Sequence, residues 1–150
     1  MRTSADRRRP AMMGCMPPLR PLLLTIVLVL AVAATPAFAA VVLGTNGPDR
    51  LRGTPRADRI EGRGGNDLIL GNGGRDRLLG GAGRDTLLGG RGGDRIFGGP
   101  GRDVVVAGAG NDRLSVRGGG VDRVACGPGL DTVTADRLDT VAADCETVQR

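Results

Sequence analysis

Two kinds of apolar pattern share this chain. Leu22 to Ala34 is an almost unbroken apolar run, LLLTIVLVLAVAA. From Gly44 onward the apolar residues are sparse and regular, with an aliphatic at every ninth position: Leu51, Ile60, Ile69, Leu78, Leu87, Ile96, Val105 and Leu114. A nine-residue period fits neither a helix nor a long strand. It fits a unit of turn plus short strand, in which three residues alternate outward, inward, outward and only the middle one is buried. The second pattern therefore predicts a stack of short strands, two repeats closing one coil, and an all-β fold.

The first pattern predicts a leader. Basic residues precede the apolar run and Ala37-Phe38-Ala39 follows it, as in a secretory signal peptide cleaved after Ala39. The run is short for a membrane span, and the chain turns polar at once, so no span is expected in the mature protein. Met16 would begin a tidier leader than Met1. Cys15 lies before the apolar run, where it cannot be a lipidation site. The expected organisation is 1–39 signal peptide, 40–115 nonapeptide repeats and 116–150 degenerate repeats with a C-terminal cap. The expected location is extracellular.

Composition sharpens this picture. The 150 residues include 27 Gly, 2 Phe and no Trp, Tyr or His, too little bulk for a thick core. The formal charge of +5 is mostly the leader's. From Ala40 onward there are 16 Arg against 15 acids, a net of +1, which gives no support to nucleic-acid binding. The same stretch has no His and no Lys, and its only Ser is Ser115. Serine and cysteine triads with a His base, His-ligated zinc and the P-loop lysine are thereby excluded, and no enzyme is expected.

The eight frames read GTNGPDRLR, GTPRADRIE, GRGGNDLIL, GNGGRDRLL, GGAGRDTLL, GGRGGDRIF, GGPGRDVVV and AGAGNDRLS. Position 6 is always Asp: Asp49, Asp58, Asp67, Asp76, Asp85, Asp94, Asp103 and Asp112. Positions 1 and 4 are each Gly in seven of eight frames. Glycine permits the left-handed angles of a tight turn and leaves carbonyl oxygens bare. Asp supplies the hard anionic oxygen that Ca²⁺ prefers.

These frames resemble the hemolysin-type (RTX) calcium-binding nonapeptide, GGxGxDxUx with U a large aliphatic. The resemblance implies a right-handed parallel β-roll, with calcium held between loops one full coil apart. Each ion would take the position 6 Asp of both loops. It would also take carbonyls from positions 2 and 4 of the first loop and 1 and 3 of the second. Carried over, Gly81, Gly83 and Asp85 would face Gly98, Pro100 and Asp103. Asn72, Gly74 and Asp76 would face Gly89, Arg91 and Asp94. Gly90, Gly92 and Asp94 would face Ala107, Ala109 and Asp112, and Arg63, Gly65 and Asp67 would face Gly80, Ala82 and Asp85. Thr45, Gly47 and Asp49 would face Gly62, Gly64 and Asp67. Up to six sites result, of which the one pairing Asp58 with Asp76 is in doubt because Arg56 and Pro55 replace the expected loop residues. Arg75, Arg84 and Arg102 at position 5 should weaken binding, toward roughly 10⁻⁴ to 10⁻³ M. With little apolar area to offset the ordering entropy, folding is expected to depend on calcium.

Alternate repeats should share a sheet. One face then carries Arg59, Arg77, Arg95 and Arg113, a column suited to an anionic surface polymer or simply to solvent. The other shows Leu68, Leu70, Thr86, Leu88, Val104 and Val106, to be covered by the C-terminal segment or by self-association. After Ser115 the period slips, but Asp122, Asp131 and Asp139 still precede an x-Val pair, as in degenerate closing coils. Cys126 and Cys145 are nineteen residues apart, close to one coil. In an exported protein they are expected to form a disulfide.

Overall fold

A computed structural model describes residues 39–150. The expected leader up to residue 38, with Cys15 and Met16, lies outside the described residues. Thirteen short strands follow one another and no helix occurs among the described residues. They are β1 (Val41–Leu43), β2 (Arg50–Arg52), β3 (Arg59–Gly64), β4 (Leu68–Gly73), β5 (Arg77–Ala82), β6 (Thr86–Arg91) and β7 (Arg95–Phe97), then β8 (Val104–Ala109), β9 (Arg113–Ser115), β10 (Arg123–Ala125), β11 (Thr132–Thr134), β12 (Thr140–Val141) and β13 (Thr147–Gln149).

The odd strands form one seven-stranded sheet and the even strands a six-stranded one. Every pairing is parallel, and through the repeats the register is eighteen residues, as in Ile60↔Leu78 and Ile69↔Leu87. The chain is thus a parallel β-solenoid of about six coils. The cause lies in the last three residues of each frame. Position 8 points inward and positions 7 and 9 outward, giving the exposed–buried–exposed signature of β2 and β7.

The core is two facing columns, one aliphatic per strand. Val42, Ile60, Leu78, Ile96, Leu114 and Val133 come from one sheet, and Leu51, Ile69, Leu87, Val105 and Val124 from the other. Each fully buried Leu or Ile contributes about 1.5–3 kcal/mol. Only one such residue serves nine ordered backbones, a thin return against conformational entropy.

Position 1 changes character along the stack. It is Gly at 44, 62, 80 and 98 on one side, then Val116 and Ala135, both fully buried. On the other side Gly53, Gly71 and Gly89 give way to Ala107 and Cys126. Cys126 and Cys145 form a disulfide with their Cα atoms 5.2 Å apart, closing the core at its C-terminal end. The C-terminal coils therefore replace glycine with apolar side chains.

The expected faces are present, with one difference. Arg59, Arg77, Arg95 and Arg113 stand in register, outward and exposed. On the six-stranded sheet Leu68, Leu70, Thr86 and Leu88 are half-buried, and Val104 and Val106 are exposed. The C-terminal segment does not cover this face. Its strands β10 and β12 extend the sheet beyond β8, because Val124 and Val141 continue the inward column.

Candidate metal centre

The position 6 aspartates lie in two buried ladders, one on each side of the roll. In each rung a backbone N–H donates to the Asp side chain one coil further on. Asp49 N donates to Asp67 Oδ1 at 2.9 Å, Asp67 N to Asp85 Oδ1 at 2.9 Å and Asp85 N to Asp103 Oδ1 at 2.9 Å. The other ladder runs from Asp58 N to Asp76 Oδ1, Asp76 N to Asp94 Oδ1 and Asp94 N to Asp112 Oδ1, at 2.8, 2.8 and 2.7 Å.

One oxygen of each carboxylate is thus used, and the other is not. The Oδ2 atoms of Asp67, Asp76, Asp85, Asp94, Asp103, Asp112, Asp122 and Asp131 are buried without a hydrogen-bond partner. A buried carboxylate oxygen left unpaired is costly, and a cation is the usual remedy. The free oxygens point into the roll. A Cβ placed on Gly80 would stand 2.5 Å from both Asp85 Oδ2 and the Gly98 carbonyl oxygen. The same convergence brings Asp67 Oδ2 to Gly80 O, Asp76 Oδ2 to Gly89 O and Asp94 Oδ2 to Ala107 O. Each pair comprises the first loop's Asp and the second loop's position 1 carbonyl, both of which the resemblance assigns to one ion.

The glycines expected in the sites have the backbone that turn requires. Gly65, Gly74, Gly81, Gly83, Gly90 and Gly92 all have φ between 104° and 132°. Arg63 and Asn72 occupy the same left-handed region at 77° and 76°. The loops interlock through position 4 N–H groups: Gly65 to Ala82 O, Gly74 to Arg91 O, Gly83 to Pro100 O and Gly92 to Ala109 O, at 2.7–2.9 Å. Each of these carbonyls keeps a second lone pair. Hard oxygens of this kind, carboxylate and carbonyl together, fit Ca²⁺, which takes six to eight of them at about 2.3–2.6 Å.

Loops one and two differ. Thr45 and Thr54 hold position 2, where a β-branched residue resists positive φ. The N–H and Oγ1 of Thr45 both donate to Asp49 Oδ2, at 2.5 and 2.9 Å, and Thr54 does the same to Asp58 Oδ2. Asp49 and Asp58 are therefore in the ladders, but their second oxygen is already engaged. Arg56 and Pro55 set loop two apart in the sequence, and the threonine hydrogen bonds set both loops apart in the structure.

The ladders also run further than the eight frames. Asp103 N donates to Asp122 Oδ1, Asp122 N to Asp139 Oδ1 and Asp112 N to Asp131 Oδ1. Asp131 N ends its ladder on Glu146 Oε2 at 2.8 Å, a role the period does not announce. Loop 126–131, CGPGLD, keeps the nonapeptide form with Cys at position 1, and Gly110 N donates to Pro128 O as in the regular loops. Loop 116–122 carries one extra residue, and there the pattern breaks: Gly120 N donates to Gly101 O instead.

Burial dominates the electrostatics. It pushes the Asp94 carboxyl up to about 7 and those of Asp76 and Asp103 to about 6, against the backbone hydrogen bonds that lower them. Neighbouring ladder carboxylates raise all three further. Asp67, Asp85, Asp112, Asp122 and Asp131 are raised by the same burial. Arg75, Arg84 and Arg102 point outward and are exposed, and the salt bridge among the described residues is Arg59–Glu61.

A parallel β-solenoid with stacked, cation-seeking aspartates and glycine-bared carbonyls belongs to the class of calcium-binding repeat proteins. Residues 43–78 and 79–114 each match the RTX calcium-binding nonapeptide repeat (4 copies), and the repeat region of this chain belongs to that family. No curated protein matches the chain.

Proposed function

We propose that this protein is a secreted calcium-binding β-roll that calcium folds. The observation that carries this is the row of buried, partnerless Oδ2 atoms facing carbonyl oxygens of the next coil. The leader-like N-terminus and the disulfide support export to an oxidising compartment. The best sites pair Asp67 with Asp85, Asp76 with Asp94, Asp85 with Asp103 and Asp94 with Asp112. Calcium would neutralise the mutual repulsion of the ladders and supply the free energy that a one-residue-per-strand core lacks. The function is binding and not catalysis, in keeping with a stretch that has neither His nor Lys.

Amide hydrogen exchange tests this. The strands from Ile60 to Leu114 should be protected in millimolar calcium and exchange freely after chelation; equal protection in both conditions would contradict calcium-dependent folding.

A second reading is a calcium-ordered adhesion or matrix module that binds an anionic surface polymer. The in-register arginines favour it. Self-association through Val104, Val106 and the half-buried leucines beside them is a further expectation, checked by sedimentation equilibrium in calcium.

A further inference from the structure

The arginine column is more than a charged row. Arg77, Arg95 and Arg113 rise on β5, β7 and β9 in direct register, at the strand spacing of about 4.8 Å. The neighbouring position 5 column holds Arg75, Gly93 and Asn111. With no side chain at Gly93, a furrow of about 550 Å³ opens between the two columns, with Asp76 also in its lining.

Arg59 belongs to the same column but is tied to Glu61 at 2.5 Å. Among the described residues, no carboxylate lies within salt-bridge distance of Arg77, Arg95 or Arg113. The Arg77 guanidinium lies over the Phe97 ring, 5.1 Å from its centroid, which steadies it. The opposite sheet carries Leu68, Thr86 and Val104 at the equivalent central positions, flanked by Arg50 and Arg123, and its own arginine-lined furrow beside Arg84, Arg102 and Arg123 is smaller, about 150 Å³.

We propose that this furrow binds a linear polysaccharide bearing sulfate or carboxylate groups, and that calcium strengthens the binding. A cation repeated at a fixed step along the roll axis suits a ligand that also repeats. Single-stranded nucleic acid is a poorer fit because Phe97, already beneath Arg77, is the only aromatic ring among residues 39–150, leaving no platform for base stacking.

Calcium enters by charge and by order. Residues 40–150 carry a net charge of only +1, and each bound Ca²⁺ adds two. An ion held by Asp76 and Asp94 also removes the negative charge beside the furrow. This coupling rests on the calcium-bound roll proposed above. By linkage, the polymer must tighten calcium binding by the same factor.

The test is binding of the purified protein to dextran sulfate, with uncharged dextran as control, in calcium and in chelator. Arg77→Gln/Arg95→Gln/Arg113→Gln should weaken binding in calcium at least tenfold and lower its salt slope by roughly two. Arg50→Gln/Arg52→Gln/Arg123→Gln removes the same charge from the other sheet and should change affinity less than threefold. Circular dichroism in calcium confirms that both variants fold. Equal weakening by the two variants, or none by either, overturns the furrow. Tighter binding of an oligodeoxynucleotide than of dextran sulfate overturns the ligand class. Equal wild-type affinity in chelator and calcium overturns the coupling. Calorimetry without polymer reads calcium uptake separately, so failure of the calcium proposal is recognised on its own.

Discussion

Position 1 shows how much one hydrogen in place of a methyl decides. In the central coils its glycine lets the Asp carboxylate turn inward beside the next coil's carbonyl, and a Cβ would strike both oxygens. Gly80→Ala should lower stability in calcium by about 1–3 kcal/mol and remove bound ion. Gly47→Ala meets nothing closer than 3.8 Å and should stay within about 0.5 kcal/mol. Denaturant titration in calcium separates the two. Proton binding is also decided here. Burial lifts Asp94 to about 7 and Asp76 and Asp103 to about 6, above the ordinary 3.8. The calcium-free roll therefore holds protons more tightly than the unfolded chain. It is destabilised above about pH 7 and regains stability as pH falls from there toward 3.8. Calcium, competing with those protons, should bind more weakly over the same interval. Circular dichroism without calcium should show more strand at pH 5 than at pH 7.5, and less strand at pH 5 would contradict the burial of these groups.

At the scale of the element, each strand is three residues with one inward aliphatic, and the period made that legible without coordinates. All eight position 8 residues are in the core, and all eight position 6 aspartates are buried. Less legible was how individual loops differ. Thr45 and Thr54 look like ordinary turn residues, yet their hydroxyls and amides cap the carboxylates that should face calcium. Asp85→Asn should accordingly remove more bound calcium than Asp49→Asn, which calorimetric stoichiometry measures. Glu146 was invisible because its place in the ladder depends on shortened terminal coils that move it out of the period. Loop 126–131 fits the motif except for Cys126, and its interlock with Gly110 follows from the restored nine-residue length.

Over the whole molecule, stability is distributed along a line, since each coil touches only its neighbours. The ends then matter most. At the C-terminus Val116, Ala135 and the Cys126–Cys145 disulfide fill the interior that glycine leaves open elsewhere. Reducing that disulfide removes a nineteen-residue loop closure and should cost about 3 kcal/mol, seen as a lower denaturation midpoint in calcium. On the proposed reading, calcium offsets the repulsion of the stacked, buried aspartates, which the aliphatic columns alone do not balance. Calorimetric calcium titration, followed in parallel by circular dichroism, tests this most directly. Several ions should bind as the chain passes from coil to strand. A protein that takes up no calcium, whether ordered or unordered throughout, would contradict it.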